Sequence, residues 1–174
     1  KPVVRHTLKN CLVHPSGVDF LDGTVRIDEL KILPLATAKI RRIPKALYCM
    51  TGASHRFFGH WLQDACATAL LQRENEALLL AEPREWAHAS QYVHAFGFRP
   101  EPAGVLQVDR LTIYEDIGQG SHKRLRYKEL RDRLERSYPR SAGGSRRVYL
   151  RRGTTGAARL VSNENDVICA LKNR

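Results

Sequence analysis

Short apolar runs separated by turn residues open the chain, at residues 11–14, 18–21 and 24–27. Such runs are typical of strands, and Asp22-Gly23 between the last two predicts a tight hairpin turn, because glycine supplies the positive φ that the turn needs. Pro34 and Pro44 interrupt the pattern that follows. The next apolar run, residues 46–50, has the length and composition of a buried strand. The first part of the chain is therefore predicted to consist of strands.

A helical repeat follows this run. Apolar residues recur at spacings of three and four, the pattern of a helix that buries one face, at Phe58, Trp61, Leu62, Ala65, Cys66, Ala69 and Leu70. Ser54 is the predicted N-cap, since its hydroxyl can accept a hydrogen bond from a free amide at the helix start. The strand, the glycine-containing turn after it and this helix form a βα unit, the building block of α/β sheets.

Beyond this helix the pattern predicts a second helix, more strand and a third helix. The second helix covers residues 86–96 and ends at Gly97, where glycine can adopt the left-handed conformation of a helix C-terminus. Residues 105–108 and 111–114 form one or two strands, and residues 122–138 return to a helical period. The apolar face of this third helix consists of Tyr127, Leu130, Leu134 and Tyr138.

The segment 139–146 is rich in small and polar residues and is predicted to be a linker. A strand beginning at residue 147 and a helix over residues 163–174 follow, which makes one more βα unit. A lone βα unit cannot bury both of its faces. The predicted fold class is therefore α/β, with one domain over residues 1–138 and the first βα unit of a second domain over residues 147–174.

The chain carries a net charge of +11, and much of it lies between residues 121 and 152, where lysine and arginine far outnumber the acids. Such a segment attracts nucleotide diphosphates, phosphodiesters, acidic polysaccharides or anionic lipids. A solvated helix face whose arginines serve solubility is equally compatible with it. A non-catalytic module that binds polyanions or nucleic acid is the alternative function, although few aromatic residues are present to stack on bases. Three arginines are predicted to lie on an exposed helix face: Arg126, Arg131 and Arg133.

Four scattered cysteines form no CxxC pair and no metal-ligand spacing, a pattern typical of unpaired core thiols in a reducing compartment. No apolar run approaches the roughly 18 residues of a membrane span. Residues 1–10 lack the apolar core of a signal peptide. The predicted location is the cytoplasm, with peripheral contact at the inner membrane as an extension of that prediction.

Two polar residues of the long helix, His60 and Asp64, are one helical turn apart and therefore share a face. A carboxylate that holds an imidazole fixes its tautomer and makes it a stronger base, so the pair could deprotonate a hydroxyl or bind a hydroxyl-rich ligand. A solvated face with an incidental pair is the alternative. No third metal ligand is identifiable from spacing, and the chain has no P-loop, GxGxxG or GxSxG motif.

A second candidate site lies at the predicted strand, loop and helix near the end of the chain. The strand brings Arg151 to its carboxyl end, Arg159 follows in the loop, and the helix begins near Ser162 or Asn163. Ligands of open α/β sheets bind at this end of the strands, and a helix N-terminus favours phosphate. Paired arginine N–H groups could hold a diphosphate there. A basic loop that closes a domain is the alternative.

Together these residues resemble glycosyltransferase family 61, which contains bacterial capsular-polysaccharide biosynthesis proteins and eukaryotic xylosyl- and N-acetylglucosaminyltransferases. His60-Trp61-Leu62 with Asp64, on a helix just after a strand, is similar to the family's HWL signature. The second signature is a strand ending in Arg, a loop with another Arg, and then Asn-Glu. It is matched in order by Arg151, Arg159, Asn163 and Glu164. With the opening strands included, the resemblance covers nearly the whole chain.

The resemblance implies a GT-B architecture, in which two Rossmann-like lobes face a cleft. In such enzymes the N-terminal lobe shapes the acceptor side and the C-terminal lobe holds the nucleotide sugar, without a catalytic metal or a further cofactor. The family continues beyond the position of Arg174 with a glycine- and histidine-containing segment of the second lobe. This chain is therefore expected to hold the acceptor lobe and only the rim of the donor site, as a truncated two-lobed enzyme.

The function that the resemblance implies is transfer of a sugar from a nucleotide-sugar donor to a capsular or surface polysaccharide or another glycan. His60 or Asp64 would deprotonate the acceptor hydroxyl, because that step needs a base within hydrogen-bond reach. The residues expected at the nucleotide are Arg151, Arg159, Asn163 and Glu164. The expected partners are the nucleotide sugar, the glycan acceptor, and the membrane or export machinery at its surface, with no nucleic acid.

Overall fold

The computed structural model describes residues 2–21, 23–26, 39–81, 86–116, 118, 120–139 and 163–172. The chain divides into two compact units, Lys1–Arg140 and Ser141–Arg174. The domain limits predicted from the sequence stay predictions. Apart from Pro139, the predicted linker lies outside the described residues, and so does the strand expected from residue 147.

The described residues of the first unit contain six strands: β1 Val4–His14, β2 Gly17–Phe20, β3 Gly23–Arg26, β4 Ile40–Tyr48, β5 Ala77–Leu79 and β6 Val105–Glu115. They form one sheet in the order β3-β2-β1-β6-β4-β5. β1 is antiparallel to β2 and β6, and β2 is antiparallel to β3, whereas β4 is parallel to both β5 and β6. The parallel half is compatible with a Rossmann-like lobe. The GT-B arrangement of two lobes stays a prediction.

Helices connect the parallel strands: α1 Gly52–Arg56, α2 Phe58–His60, a π-helical segment Trp61–Cys66 and α3 Ala67–Ala69 lie between β4 and β5, and α4 Ala89–Ala95 lies between β5 and β6. The helix α5 Ser121–Ser137 follows β6. In the second unit the helix α6 covers Glu164–Lys172. Because α2, the π segment and α3 follow one another directly, the helical repeat predicted from Phe58 onwards is confirmed. The α/β class is confirmed as well.

Thr51, and not Ser54, begins the first helix. The Thr51 hydroxyl accepts a hydrogen bond from the Ser54 amide at 3.1 Å, while the Thr51 amide donates to the Ser54 hydroxyl at 2.7 Å. This reciprocal pair is a capping box, in which Ser54 is the third helical residue. The predicted N-cap was therefore wrong by one turn. The helix also breaks at Phe57, whose extended backbone separates α1 from α2.

The opening hairpin is confirmed, since β2 and β3 pair through Phe20↔Gly23. Two strands are longer than their apolar runs. β1 begins at Val4, in a polar stretch, because it pairs with β6 from Val4↔Glu115 onwards. β4 runs through Pro44 instead of being interrupted there. Among the described residues, β5 pairs only with residues 46–48 of β4, so Pro44 has no described partner on the β5 side, and a strand edge is where proline is tolerated.

The later elements follow the predicted order with shifted limits. α4 begins at Ala89, three residues after the predicted start, and ends before Gly97, whose φ of +69° confirms the left-handed position. Residues 105–115 form one strand, since β1 and β4 pair with β6 along both of its sides. α5 and α6 match the third predicted helix and the helix near the chain end.

Trp61 is the largest fully buried side chain of the described core, as the apolar repeat predicts. Its indole N–H donates to the Ala81 carbonyl at 2.9 Å, so the polar atom is satisfied. Phe58 is partly buried and contacts Trp61 and the rings of Trp86 and Tyr92. The helix carrying the first motif is therefore fixed to the core by an aromatic cluster.

The free cysteines fall into two groups. Cys11, Cys49 and Cys66 are buried, which confirms the prediction of core thiols for them. Burial raises the pKa of the Cys66 thiol, which makes it a poor nucleophile. The prediction was wrong for Cys169, which is exposed on α6. Among the described residues, no helix has the length and apolar character to cross a membrane.

Candidate functional site

Asp64 lies at the centre of a chain of polar contacts on the π segment. Its Oδ2 is 2.9 Å from His60 Nδ1, and its Oδ1 accepts a hydrogen bond from Lys123 Nζ at 2.7 Å. The structure therefore brings His60 and Asp64 together as their spacing suggests. Their catalytic role stays a prediction. π-helical turns inside α-helices occur frequently at functional sites.

The carboxyl group of Asp64 is held in its ionised form. Burial alone would raise its pKa, but the hydrogen bonds from Lys123 and His60, together with their charges, outweigh that effect and lower it. An ionised carboxylate can only accept hydrogen bonds, so the Nδ1 atom of His60 carries the proton and donates it. In the neutral form of the ring this hydrogen bond leaves the lone pair on Nε2, on a side chain that is 52% exposed.

Lys123 is a buried cation, with only 2% of its side chain exposed. Besides Asp64, its ammonium donates to the backbone carbonyl of Asp116 at 3.1 Å and lies 3.8 Å from a carboxylate oxygen of Asp116. Arg126 donates to the same carboxylate. These contacts form one network, which consists of His60, Asp64, Lys123, Asp116 and Arg126. Asp116 directly follows β6, so the network lies at the carboxyl end of a parallel strand. Open α/β sheets bind their ligands at this end of the strands.

Sequence reasoning missed three members of this network, Lys123, Asp116 and Arg126. Arg126 was predicted to lie on an exposed helix face, and that prediction was wrong, because Arg126 is buried against Asp116. The composition places Lys123 only within the basic segment. A signal was available, since Lys123 lies four residues before Tyr127 and seven before Leu130, on the apolar face of the helix. A cation on such a face needs a buried carboxylate, and Asp64 and Asp116 supply two.

The remaining charges of α5 are largely paired at the surface. Lys128 binds Asp132 at 2.8 Å, and Arg133 binds Glu129 at 2.7 Å while also donating to the Phe96 carbonyl. Arg131 is exposed, as predicted, whereas Arg133 is half-buried. The described part of the basic segment thus presents fewer free cations than its composition suggests, which counts against an extended polyanion-binding face.

The second motif is described only in part. Arg151 and Arg159 lie outside the described residues. Asn163 precedes α6 and its carbonyl accepts a hydrogen bond from the Val167 amide at 3.2 Å, while Glu164 is the first residue of the helix. The helix start predicted near Asn163 is therefore confirmed, and the proposed meeting of these residues at a diphosphate stays a prediction.

A cavity of about 300 Å³ lies elsewhere in the first unit. Its walls are mainly apolar and come from the ends of β1, β4 and β5 and from residues 100–104. Of the predicted site residues that the structure describes in this unit, neither His60 nor Asp64 lines it. Within the part of the chain that the structure describes, no three His, Cys, Asp or Glu side chains are grouped so that they could hold a metal ion.

Two comparisons, with curated proteins and with solved structures, found no match for the chain. A family model described as Glycosyltransferase 61 matches residues 58–174, about two thirds of the chain, and this range includes both motifs. A helix that presents a carboxylate-bound histidine is thus part of a glycosyltransferase domain. The chain belongs to glycosyltransferase family 61, and this membership supports glycosyltransferase activity in general.

Acid is expected to weaken the fold in part through Asp64. Because its pKa is lower in the folded chain than in the unfolded chain, its contribution to stability is complete above the unfolded value of about 4 and is lost as the pH falls through the lower folded value. Asp64→Asn should therefore lose less unfolding free energy than the unchanged chain between about pH 6 and about pH 3.

Urea unfolding followed by circular dichroism at the two pH values measures this difference. Glu74→Gln is the matched control, because Glu74 is exposed. An equal acid sensitivity of Asp64→Asn and the unchanged chain would contradict the assignment.

Proposed function

We propose that this protein transfers a sugar from a nucleotide-sugar donor to a glycan or polysaccharide acceptor, with His60 as the general base. The observation that carries the proposal is the hydrogen bond between His60 Nδ1 and Asp64, which leaves Nε2 as the proton acceptor of the neutral ring, on a side chain that is half exposed. Family membership supports the transferase class. The donor, the acceptor and the role of each residue are parts of the proposal.

In the proposed reaction the acceptor hydroxyl donates its proton to His60 Nε2 as its oxygen attacks the anomeric carbon of the donor sugar. The bond between that carbon and the diphosphate oxygen breaks, and the nucleoside diphosphate leaves with the electron pair. Asp64 stabilises the imidazolium that forms, because its negative charge lies 2.9 Å from Nδ1. A positioned base of this kind typically contributes a rate factor of about 10² to 10⁴.

On the donor side, the proposal assigns neutralisation of the leaving diphosphate to Arg151 and Arg159, with Asn163 and Glu164 beside them at the start of α6. Guanidinium groups suit this task because their paired N–H donors match phosphate oxygens. The reaction as proposed uses these cations in place of a metal ion. The first unit would take the acceptor and the second the nucleotide sugar, as in a two-lobed GT-B enzyme.

A capsular or surface polysaccharide is the acceptor class that we propose, with the enzyme in the cytoplasm and in peripheral contact with the inner membrane or its export machinery. The alternative is a non-catalytic polyanion-binding module on residues 121–152. The contacts that α5 makes do not support it. Lys123 and Arg126 of that segment are buried against carboxylates and cannot form a binding face.

Arg159→Ala is expected to weaken binding of a nucleoside diphosphate by about 1.5–3 kcal/mol, the range for hydrogen bonds to charged groups. Arg131→Ala is the matched control, because Arg131 is an exposed arginine of α5 and offers only screened attraction. Calorimetric titration of both variants at two salt concentrations measures the difference. Equal losses, each with a salt dependence lowered by about one unit, would favour the polyanion module instead.

A further inference from the structure

We propose that Lys123 is a positioning residue for His60 and that it acts through Asp64. The proposal rests on the proposed function only in treating His60 as the base. Lys123 and Asp64 are 59 residues apart in the chain and meet because α5 packs near the helix that carries the motif. Lys123 itself touches no substrate in this account.

The two oxygens of Asp64 have separate partners. Lys123 occupies Oδ1 at 2.7 Å, and His60 occupies Oδ2 at 2.9 Å. The terminal torsion of an aspartate has only a broad, shallow preference, so a carboxylate with one partner can turn and offer either oxygen at a range of angles. Because Lys123 holds Oδ1, the carboxylate cannot turn, and Oδ2 accepts its hydrogen bond from one fixed direction. That hydrogen bond fixes the plane of the His60 imidazole.

Lys123 is itself held in place. Its ammonium has three donors, and the described contacts offer it Asp64 Oδ1 and the Asp116 carbonyl, with the Asp116 carboxylate at 3.8 Å. Arg126, one turn later on α5, binds that carboxylate in turn. The side chain is 2% exposed, so water does not compete for its donors. The position of the Asp64 carboxylate therefore depends, through the buried lysine, on the positions of α5 and of the end of β6.

The charge of Lys123 also selects the tautomer of His60. An ionised Asp64 accepts from Nδ1–H and leaves the lone pair on Nε2. A protonated Asp64 could donate to Nδ1 instead, and the neutral ring would then carry its proton on Nε2, where it could no longer accept one. A buried ammonium on Oδ1 opposes that second arrangement because it stabilises the carboxylate.

The test measures the tautomer of His60 by the nitrogen-15 chemical shifts of its ring in the unchanged chain and in Lys123→Met. We expect the Nδ1–H form in the unchanged chain and a clear loss of it in Lys123→Met, with at least partial recovery in Lys123→Arg, which keeps the charge. Lys128→Met is the matched control, since Lys128 lies on the same helix in an exposed ion pair with Asp132.

Removing a buried cation can prevent folding, because it leaves carboxylates uncompensated. The double variant Lys123→Met/Asp116→Asn removes one charge of each sign and is therefore the second arm. In folded protein of either variant, sugar transfer should fall by about tenfold or more, in kcat and not in the KM for the donor, because a histidine in the wrong tautomer is no base.

An unchanged Nδ1–H population in folded Lys123→Met or in the double variant would overturn the proposal. Loss of the Nδ1–H form in the control Lys128→Met would also overturn it, because the tautomer would then respond to any change on α5. The tautomer readout needs no substrate. If His60→Ala kept full activity, the base role would fail while the positioning of His60 by Lys123 could still be judged from the nitrogen shifts.

Discussion

Replacing His60 with alanine is expected to lower the rate of sugar transfer by about 10²- to 10⁴-fold, the usual contribution of a general base. The loss should appear in kcat, because the proton moves only as the new bond forms. The fold should be retained, since the His60 side chain is half exposed and its removal takes away one surface hydrogen bond, worth about 1 kcal/mol.

Transfer of a radiolabelled sugar measures the rate, and thermal unfolding checks that the variant is folded. His94→Ala is the matched control, because His94 is an exposed histidine on α4. Turnover of His60→Ala equal to that of the control would remove His60 from the mechanism, and the motif would then be structural.

Trp61→Ala is expected to cost about 3–5 kcal/mol of unfolding free energy, the range for truncating a buried aromatic side chain. Trp61 is 0% exposed, so the substitution leaves a cavity. It also breaks the contacts with the rings of Phe58 and Trp86 and leaves the Ala81 carbonyl without its donor. A loss of that size is a large part of the stability of an ordinary domain.

Urea unfolding measures the loss, and two further variants separate its parts. Trp61→Phe keeps a buried ring and removes the indole N–H, so about 1–3 kcal/mol is expected for the unpaired carbonyl and the smaller ring. Tyr138→Ala, an exposed aromatic just after α5, should change stability by no more than about 0.5 kcal/mol. A Trp61→Ala loss as small as that of Tyr138→Ala would contradict the placement of this helix in the core.

The burial of Trp61 could be predicted because a helix that covers a core repeats its apolar residues at every turn. The polar half of β1 could not be predicted as a strand, because residues 4–10 show no alternation of apolar and polar residues. They form a strand only by pairing with β6. The start of α1 was misplaced for a local reason. Thr51 and Ser54 are both good caps, and their reciprocal bonds decide which of them is the N-cap.

Two of the five residues of the candidate site, His60 and Asp64, could be predicted for the same reason. His60 and Asp64 are one turn apart on a single helix, so their contact depends on local geometry. The contact of Asp64 with Lys123 depends on how α5 packs, and the π-helical form of residues 61–66 depends on a change in backbone hydrogen bonding that side-chain spacing does not reveal. Lys123 on an apolar helix face was the available hint.

The most direct test of the central claim is mass spectrometry of glycan acceptors after incubation with the protein and a panel of nucleotide sugars. If the protein is a glycosyltransferase of the proposed kind, at least one donor and acceptor pair yields an acceptor heavier by one sugar residue. An equal amount of nucleoside diphosphate should be released, and the product should be lost in His60→Ala. No gain in acceptor mass with any pair, or an equal gain with His60→Ala, would contradict the claim.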